Sequence, residues 1–238
     1  AVTARRRALD ERRTPAFGIG FYEDDQTPSG LPPAYSHALY VDGEYTWRNV
    51  DDLLAPSRGW MATLQVGGGV PGASTERFGR VIGKAVAWWP LPGDNQFTAR
   101  ADAGAVIADS RVGIPSTFLF RTGGDTTVRG YAFDSLGVQQ GSAVVGGRYY
   151  AIASAEVIHW FNASWGAAVC ADAGNAIDSL SEIHLAAGGG QFGPASDEVF
   201  AQWIAEGRVS ADSWVWRNGW VDWKAGGEAL SEYGVRAP

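Results

Sequence analysis

The chain has 238 residues, 45% of them hydrophobic, and a formal net charge of -7 with a pI near 4.9. That apolar content is too high for a disordered chain, and the acidic balance excludes nucleic acid as a partner, since phosphate binding needs clustered Lys and Arg to displace counterions. One cysteine, Cys170, excludes an internal disulfide, and His37, His159 and His184 lack any zinc-ligand spacing, so no metal or other cofactor is expected. No run approaches the ~18 apolar residues of a spanning helix. The opening AVTARRRALDERR has neither an apolar signal region nor an initiator methionine, so the chain reads as an excised piece.

The first three quarters of the chain alternate with a period of two. In HALYVDGEYTWR, Leu39, Val41, Tyr45 and Trp47 share one face while Tyr40, Asp42, Glu44, Thr46 and Arg48 share the other, as a pleated strand requires. GWMATLQV repeats the pattern with Trp60, Ala62, Leu64 and Val66. GGGVPG at residues 67–72 fits G-x-G-x-x-G in letters, but Pro71 and the strand before it oppose a phosphate-cradling turn, and a plain turn is expected there. QFTARADAGAVI then sets Phe97, Ala99, Ala101, Ala103 and Ala105 against Thr98, Arg100 and Asp102. Strands of roughly ten residues suit a membrane barrel better than a soluble sandwich, whose strands average about five or six, although both settings produce this alternation.

Residues 121–137, RTGGDTTVRGYAFDSLG, carry neither period and form a long loop. After it, RYYAIASAEVIHWF puts Tyr149, Ala151, Ala153, Ala155 and Val157 outward and Ser154 and Glu156 inward. WGAAVCADAG puts Trp165, Ala167, Val169, Ala171 and Ala173 outward and Cys170 and Asp172 inward. Two carboxylates pointing into one enclosed space need a cation or donors, and the glycine-flanked Arg129 could fork across both. The bland alternative is a solvated arginine with both acids wetted by lumen water.

These residues carry a resemblance. FRTGGDTTVRGYAFDSLG, followed by SAEV and a strand ending in DAG, resembles the C-terminal barrel of the outer-membrane assembly superfamily that includes BamA and TamA, the bacterial surface antigen family, over about residues 15–179. The upstream YTWRNVDDLLAPSRGWMATLQVGGG is more similar to the TamA branch. The resemblance implies a partial antiparallel transmembrane β-barrel in the bacterial outer membrane, contacting lipid and outer-membrane or autotransporter substrate proteins. It also implies that Arg129, Gly130 and Tyr131 form a loop tip folded into the lumen, with Arg129 paired to Glu156 and Asp172. The POTRA domains and early strands that precede this region in that family, and about three of its final strands including the one that closes the barrel, are missing from the sequence. An open set of strands leaves edges that lipid cannot satisfy, so this piece alone is not expected to span a membrane.

The grammar changes at about residue 180, dividing the chain into residues 1–179 and 180–238. SDEVFAQWIAEGR places Val199, Phe200, Trp203 and Ile204 at helical spacing, with Ser196 as N-cap and Gly207 as C-terminal stop. The frame QFGPASDEVFAQWIAEGRV resembles the GYF family at Gly193, Pro194, Ala195, Phe200, Trp203 and Gly207, which implies a small α+β domain. That family binds proline-rich peptides on an aromatic surface, which the resemblance assigns here to Phe192, Trp203, Trp216 and Trp220. Ala195, Arg208 and Val209 stand where that surface has aromatics, and the tryptophans are expected mainly as the core of a domain of about fifty residues.

No catalytic arrangement emerges. G-x-S-x-G and P-loop patterns are missing, no His lies near a nucleophile, and Glu156 with Asp172 lacks the sugar platform of a glycosidase pair, so the chain is expected not to be an enzyme. The readings that stand are an outer-membrane assembly or secretion barrel, an adaptor for proline-rich peptides, and a two-partner secretion pore. A further one is a fusion of two unrelated reading frames near residue 180.

Overall fold

Alternation builds the larger part of the molecule. The computed structural model describes residues 1–7, 11–26, 34–140, 143–162, 164–180, 183–195, 197–217 and 220–232. Its strands are β1 (Val2–Arg7), β2 (Arg13–Gln26), β3 (Ala34–Val50), β4 (Gly59–Ser74), β5 (Gly79–Leu91), β6 (Asn95–Ile107), the short β7 (Val138–Gln140) and β8 (Ala143–Val145), then β9 (Tyr149–Trp160) and β10 (Gly166–Ile177). Eight of them form one antiparallel sheet in the order β1-β2-β3-β4-β5-β6-β9-β10, which does not close on itself. The fold is therefore a partial barrel and not a two-sheet sandwich. Its main strands run longer than the expected ten or so residues, up to the 17 of β3.

The two faces of the sheet differ as a membrane barrel requires. Phe17, Ile19, Phe21, Val41, Trp60, Leu64, Val66, Trp89, Val157 and Val169 are exposed on the outer face. On the inner face Tyr40, Thr46, Ile82, Val106 and Ile152 are buried, and the long segment between β6 and β9 packs over Tyr40, Ile82 and Val106. GGGVPG is not the expected turn: it lies within β4, where the register against β3 slips between Ala38 and Tyr40 and Gly72 takes φ +81°. The six residues of β4 from Gly69 to Ser74 thus lie against only three of β3, Ala38 to Tyr40, a bulge in a continuing strand.

That outer face has a direct consequence in solution. Residues 1–177, expressed alone, should require detergent to remain monodisperse, because contiguous exposed apolar surface and two unpaired sheet edges both drive association. A monodisperse monomer in detergent-free size exclusion would contradict the lipid-facing assignment.

The chain divides into two compact units, Ala1–Ile177 and Asp178–Pro238. The second holds β11 (Ile183–Ala187), β12 (Gly190–Ala195), α1 (Asp197–Ala205), β13 (Trp214–Arg217), β14 (Lys224–Ala225) and α2 (Gly226–Glu232), with sheet order β12-β11-β13-β14. Helix α1 stops where Gly207 adopts φ +69°, and the amides of Gly207 and Arg208 close back on the carbonyls of Ile204 and Trp203. The expected N-cap, Ser196, lies outside the described residues. The core differs from the expected tryptophan cluster. It consists of Ile183, Leu185, Phe200, Val209, Val215, Ala229 and Leu230, with Trp203 and Trp220 packed at its margin and Trp214 54% exposed. Aliphatic side chains around the single ring of Phe200 fill the narrow space between a short sheet and two short helices, and the bulkier indoles of Trp203 and Trp220 are left at the rim.

Candidate functional site

The segment between β6 and β9 owes its shape to its own hydrogen bonds. Phe120 and Gly147 exchange two backbone bonds at 2.8 Å, and Thr122 and Leu136 exchange another pair at 2.8 and 2.9 Å, so the loop runs out and back as an irregular ribbon. Gly123 and Gly124, at φ +105° and +99°, turn its tip in a conformation that side-chain-bearing residues rarely adopt. Thr127 ties the turn: its hydroxyl accepts from the Gly123 amide at 2.9 Å, and its carbonyl accepts from the Arg100 guanidinium of β6 at 2.9 Å. These contacts account for the glycines and threonines that break the periodicity.

An apolar plug anchors the base of the loop. Ile114, Phe118 and Phe120 pack with Ala38, Tyr40, Phe78, Ile82, Val106 and Ala176 in one buried cluster. The Phe118 ring lies 4.4 Å from that of Tyr40 and 4.8 Å from that of Tyr22. Gly104 leaves room for this packing, since a Cβ there would come within 2.6 Å of Tyr150 and 2.9 Å of Phe120. The Ser116 amide donates to Asp24 of β2 at 2.7 Å, and the Arg148 side chain, 5% exposed, donates to the carbonyls of Ala108 and Asp109.

Arg129, at the tip, reaches the opposite end of the sheet. Its Nε and Nη2 donate to the two carboxylate oxygens of Asp172 at 2.7 and 2.9 Å, and its backbone amide donates to the same carboxylate at 3.0 Å. Nη1 donates to Glu156 at 2.5 Å and Nη2 also to the Ser154 hydroxyl at 3.1 Å. The β9–β10 register explains why one guanidinium finds all three: Asp172 stands directly opposite Ser154, and Glu156 is the next inward residue along β9. Ser154 in turn donates to Asp172. Asp172 is 3% exposed, whereas the Arg129 and Glu156 side chains remain 31% and 26% exposed. The planar guanidinium thus forks across one dry acid and reaches a second, half-wetted one.

Gly130, at φ +90°, bends the chain immediately after the arginine, and Tyr131 is 56% exposed beside an 80% exposed Phe133. Cys170, opposite Glu156 on β10, is exposed. The sequence singled out the arginine and its acids but missed Ser154 as a direct partner and the Phe118–Phe120 anchor. The signal for the anchor was the pair of phenylalanines in STFLF, in a stretch without a period.

In the C-terminal unit the four aromatic candidates do not form one surface. Phe192 and Trp203 meet edge to face at 6.4 Å, and the Arg208 guanidinium lies over both rings, at 5.3 and 5.1 Å. Trp216 is paired with His184, whereas Phe192 is paired with the neighbouring Leu185, so Trp216 and Phe192 are on opposite faces of the small sheet. Trp220 packs at the edge of the core beneath Lys224, whose ammonium is 4.4 Å from its ring. Ala195 and Val209 are 7% and 1% exposed, so they are core positions and not part of a contact surface.

An incomplete, lipid-patterned antiparallel barrel with an arginine-tipped loop seated on its inner face defines a class of outer-membrane barrel proteins. The chain belongs to the Omp85 superfamily, whose domain matches residues 21–189. That match runs past the end of β10 into β11, which the structure places in the second unit. GYF domain 2 matches residues 184–229. The fold is similar to that of a crystal structure of BamA from Haemophilus ducreyi lacking POTRA domains 1–3, with a TM-score of 0.61 and 14% identity over 90% of this chain. This chain covers 46% of that protein. No curated protein matches the sequence.

Proposed function

We propose that residues 1–177 act as part of an outer-membrane barrel that inserts or secretes other outer-membrane proteins, autotransporters among them. The observation that carries this reading is the seating of Arg129 on Asp172, Ser154 and Glu156 of two adjacent strands, inside a sheet whose outer face is apolar. A loop held by one charged fork can be retained or released as a unit, which suits a barrel that must reshape itself around a polypeptide. The chain works by binding and holding strands and not by catalysis. Vesicles carrying residues 1–177 within a barrel closed by homologous strands should speed the folding of an unfolded autotransporter-type barrel over empty vesicles, read as the heat-modifiable folded band on a gel. Equal rates with and without the inserted chain would contradict the reading.

The exposed Phe192 beside Trp203 supports a second role, a small contact surface for a proline-rich peptide on the C-terminal unit. Trp216, on the other sheet face, takes no part in it. Millimolar proline-rich peptide should perturb the Phe192 and Trp203 resonances and leave Trp216 unchanged. Unchanged spectra at all three would remove this role.

A further inference from the structure

Thr127 reaches out of the loop through one group only. Its amide donates to the Gly124 carbonyl at 3.1 Å and its hydroxyl accepts from the Gly123 amide, both inside the turn, whereas its carbonyl accepts from Nη2 of Arg100 on β6 at 2.9 Å. Arg100 is an unusual donor for this position. Its Nε is buried without a hydrogen-bond partner, and among the described residues no carboxylate lies within ion-pair distance of it. An inward arginine with no acid of its own is costly unless another acceptor offsets its desolvation, and the Thr127 carbonyl is that acceptor.

Register links this contact to the seat of Arg129. On the inner face Arg100 of β6 stands opposite Ser154 of β9, and Ser154 stands opposite Asp172 of β10, one row across three neighbouring strands. The peptide before Val128 is tied to one end of the row through the Thr127 carbonyl. The peptide after it is tied to the other end through the Arg129 amide, which donates to Asp172 at 3.0 Å. Val128, between them, is 2% exposed. Each peptide is a rigid plane, so holding the planes on both sides of one residue removes the freedom of its φ and ψ.

We propose that Arg100 is a positioning residue for the loop: it holds Thr127 so that Arg129 is presented to Asp172 and Glu156 in the orientation its fork requires. A long side chain gives up rotamer freedom when it docks, and a backbone fixed beforehand reduces what remains to be ordered. Arg100 thus strengthens the seat without touching either acid. The two arginines differ in what they need. Arg129 must fork across two carboxylates, which only a guanidinium does, whereas Arg100 supplies one donor to one carbonyl, which an ammonium can also do.

The inference rests on the reading of the loop as a unit that is held or released, and its test separates the two. Full-length protein solubilised in detergent is exposed to protease, and the rate of cleavage at the Tyr131–Phe133 tip is measured. Arg100→Met should raise that rate about tenfold, as loss of a charged donor to a carbonyl predicts. Arg100→Lys should stay within about twofold of wild type, while Arg129→Lys should not recover. In an Arg129→Ala background Arg100→Met should add less than about twofold, because Arg129 is what the positioning serves. Hydrogen exchange of the β6–β9 amides checks that the sheet is intact, and Arg100→Gln, polar but too short to reach Thr127, gives a second reading should the methionine variant fail to fold. An unchanged rate in Arg100→Met and Arg100→Gln, the same rise in the lysine variant as in the methionine one, or a full tenfold rise in the Arg129→Ala background would each overturn the positioning role and leave the held loop standing. No rise in Arg129→Ala itself would overturn both.

Discussion

Arg129→Ala is expected to weaken docking of the loop tip by about 2–4 kcal/mol, well beyond the ~0–1 kcal/mol of an exposed ion pair. The reason lies in Asp172, which is 3% exposed and takes two side-chain bonds from Arg129. Truncation leaves that carboxylate with the Arg129 amide and Ser154 as its remaining donors, and a buried acid stripped of its cation is costly. The third of the Arg129 side chain still exposed to water, and the quarter of Glu156, keep the figure below that of a fully dry pair. Arg129→Lys should recover only part of the loss, because a single ammonium cannot span Asp172 and Glu156 as a fork does. Hydrogen exchange in residues 123–136 reads the effect. Loss of protection there, with the β9–β10 amides unchanged, is the expected pattern.

Phe200→Ala should destabilise the C-terminal unit by about 3–5 kcal/mol, enough to unfold a domain of this size at moderate temperature. Phe200 is fully buried among Ile183, Leu185, Val209, Val215 and Leu230, and its removal opens a cavity that short elements cannot collapse to fill. Trp203→Ala should cost less, since that indole packs at the rim against Phe192 and Arg208 with part of its surface in water. Thermal unfolding followed by near-UV circular dichroism distinguishes the two. A larger loss from Trp203 than from Phe200 would reverse the assignment of core and rim.

The strands of the barrel were legible where the two faces differ in polarity. In β6 and β9 small apolar residues such as Ala99, Ala101, Ala153 and Ala155 alternate cleanly with Thr98, Arg100, Ser154 and Glu156, and the inward placement of the acids followed at once. In β5 the alternation fades: Ile82 faces inward and is 7% exposed because it meets the plug, so apolar residues appear on both faces. Tyr40 is a related case, inward among polar neighbours yet packed on Phe118. β1, with Thr3 and Arg5 against Val2 and Ala4, is a short edge strand whose basic run conceals its period.

The site was legible in its charges and hidden in its packing. Arg129 and its acids could be paired because unpaired inward carboxylates demand a cation. The hydrophobic anchor at Phe118 and Phe120 depends on tertiary contacts with six strands, β2, β3, β5, β6, β9 and β10, which no local period reports. In the small unit, register decides which aromatics share a face, and the irregular pairing between Ile183 and Leu185 put Trp216 opposite Phe192 in a way that spacing could not show.

The central claim is that the Arg129–Asp172 pair holds the loop on the inner face of the barrel. A double-mutant cycle of Arg129→Ala and Asp172→Ala, read by the rate of protease cleavage at the exposed Tyr131–Phe133 tip in detergent-solubilised protein, tests it most directly. Each single variant should raise cleavage strongly and the double variant should add little more, giving a coupling energy of about 2 kcal/mol. Effects that simply add, with the tip equally protected in wild type and both single variants, would show a solvated arginine beside an acid that needs no partner.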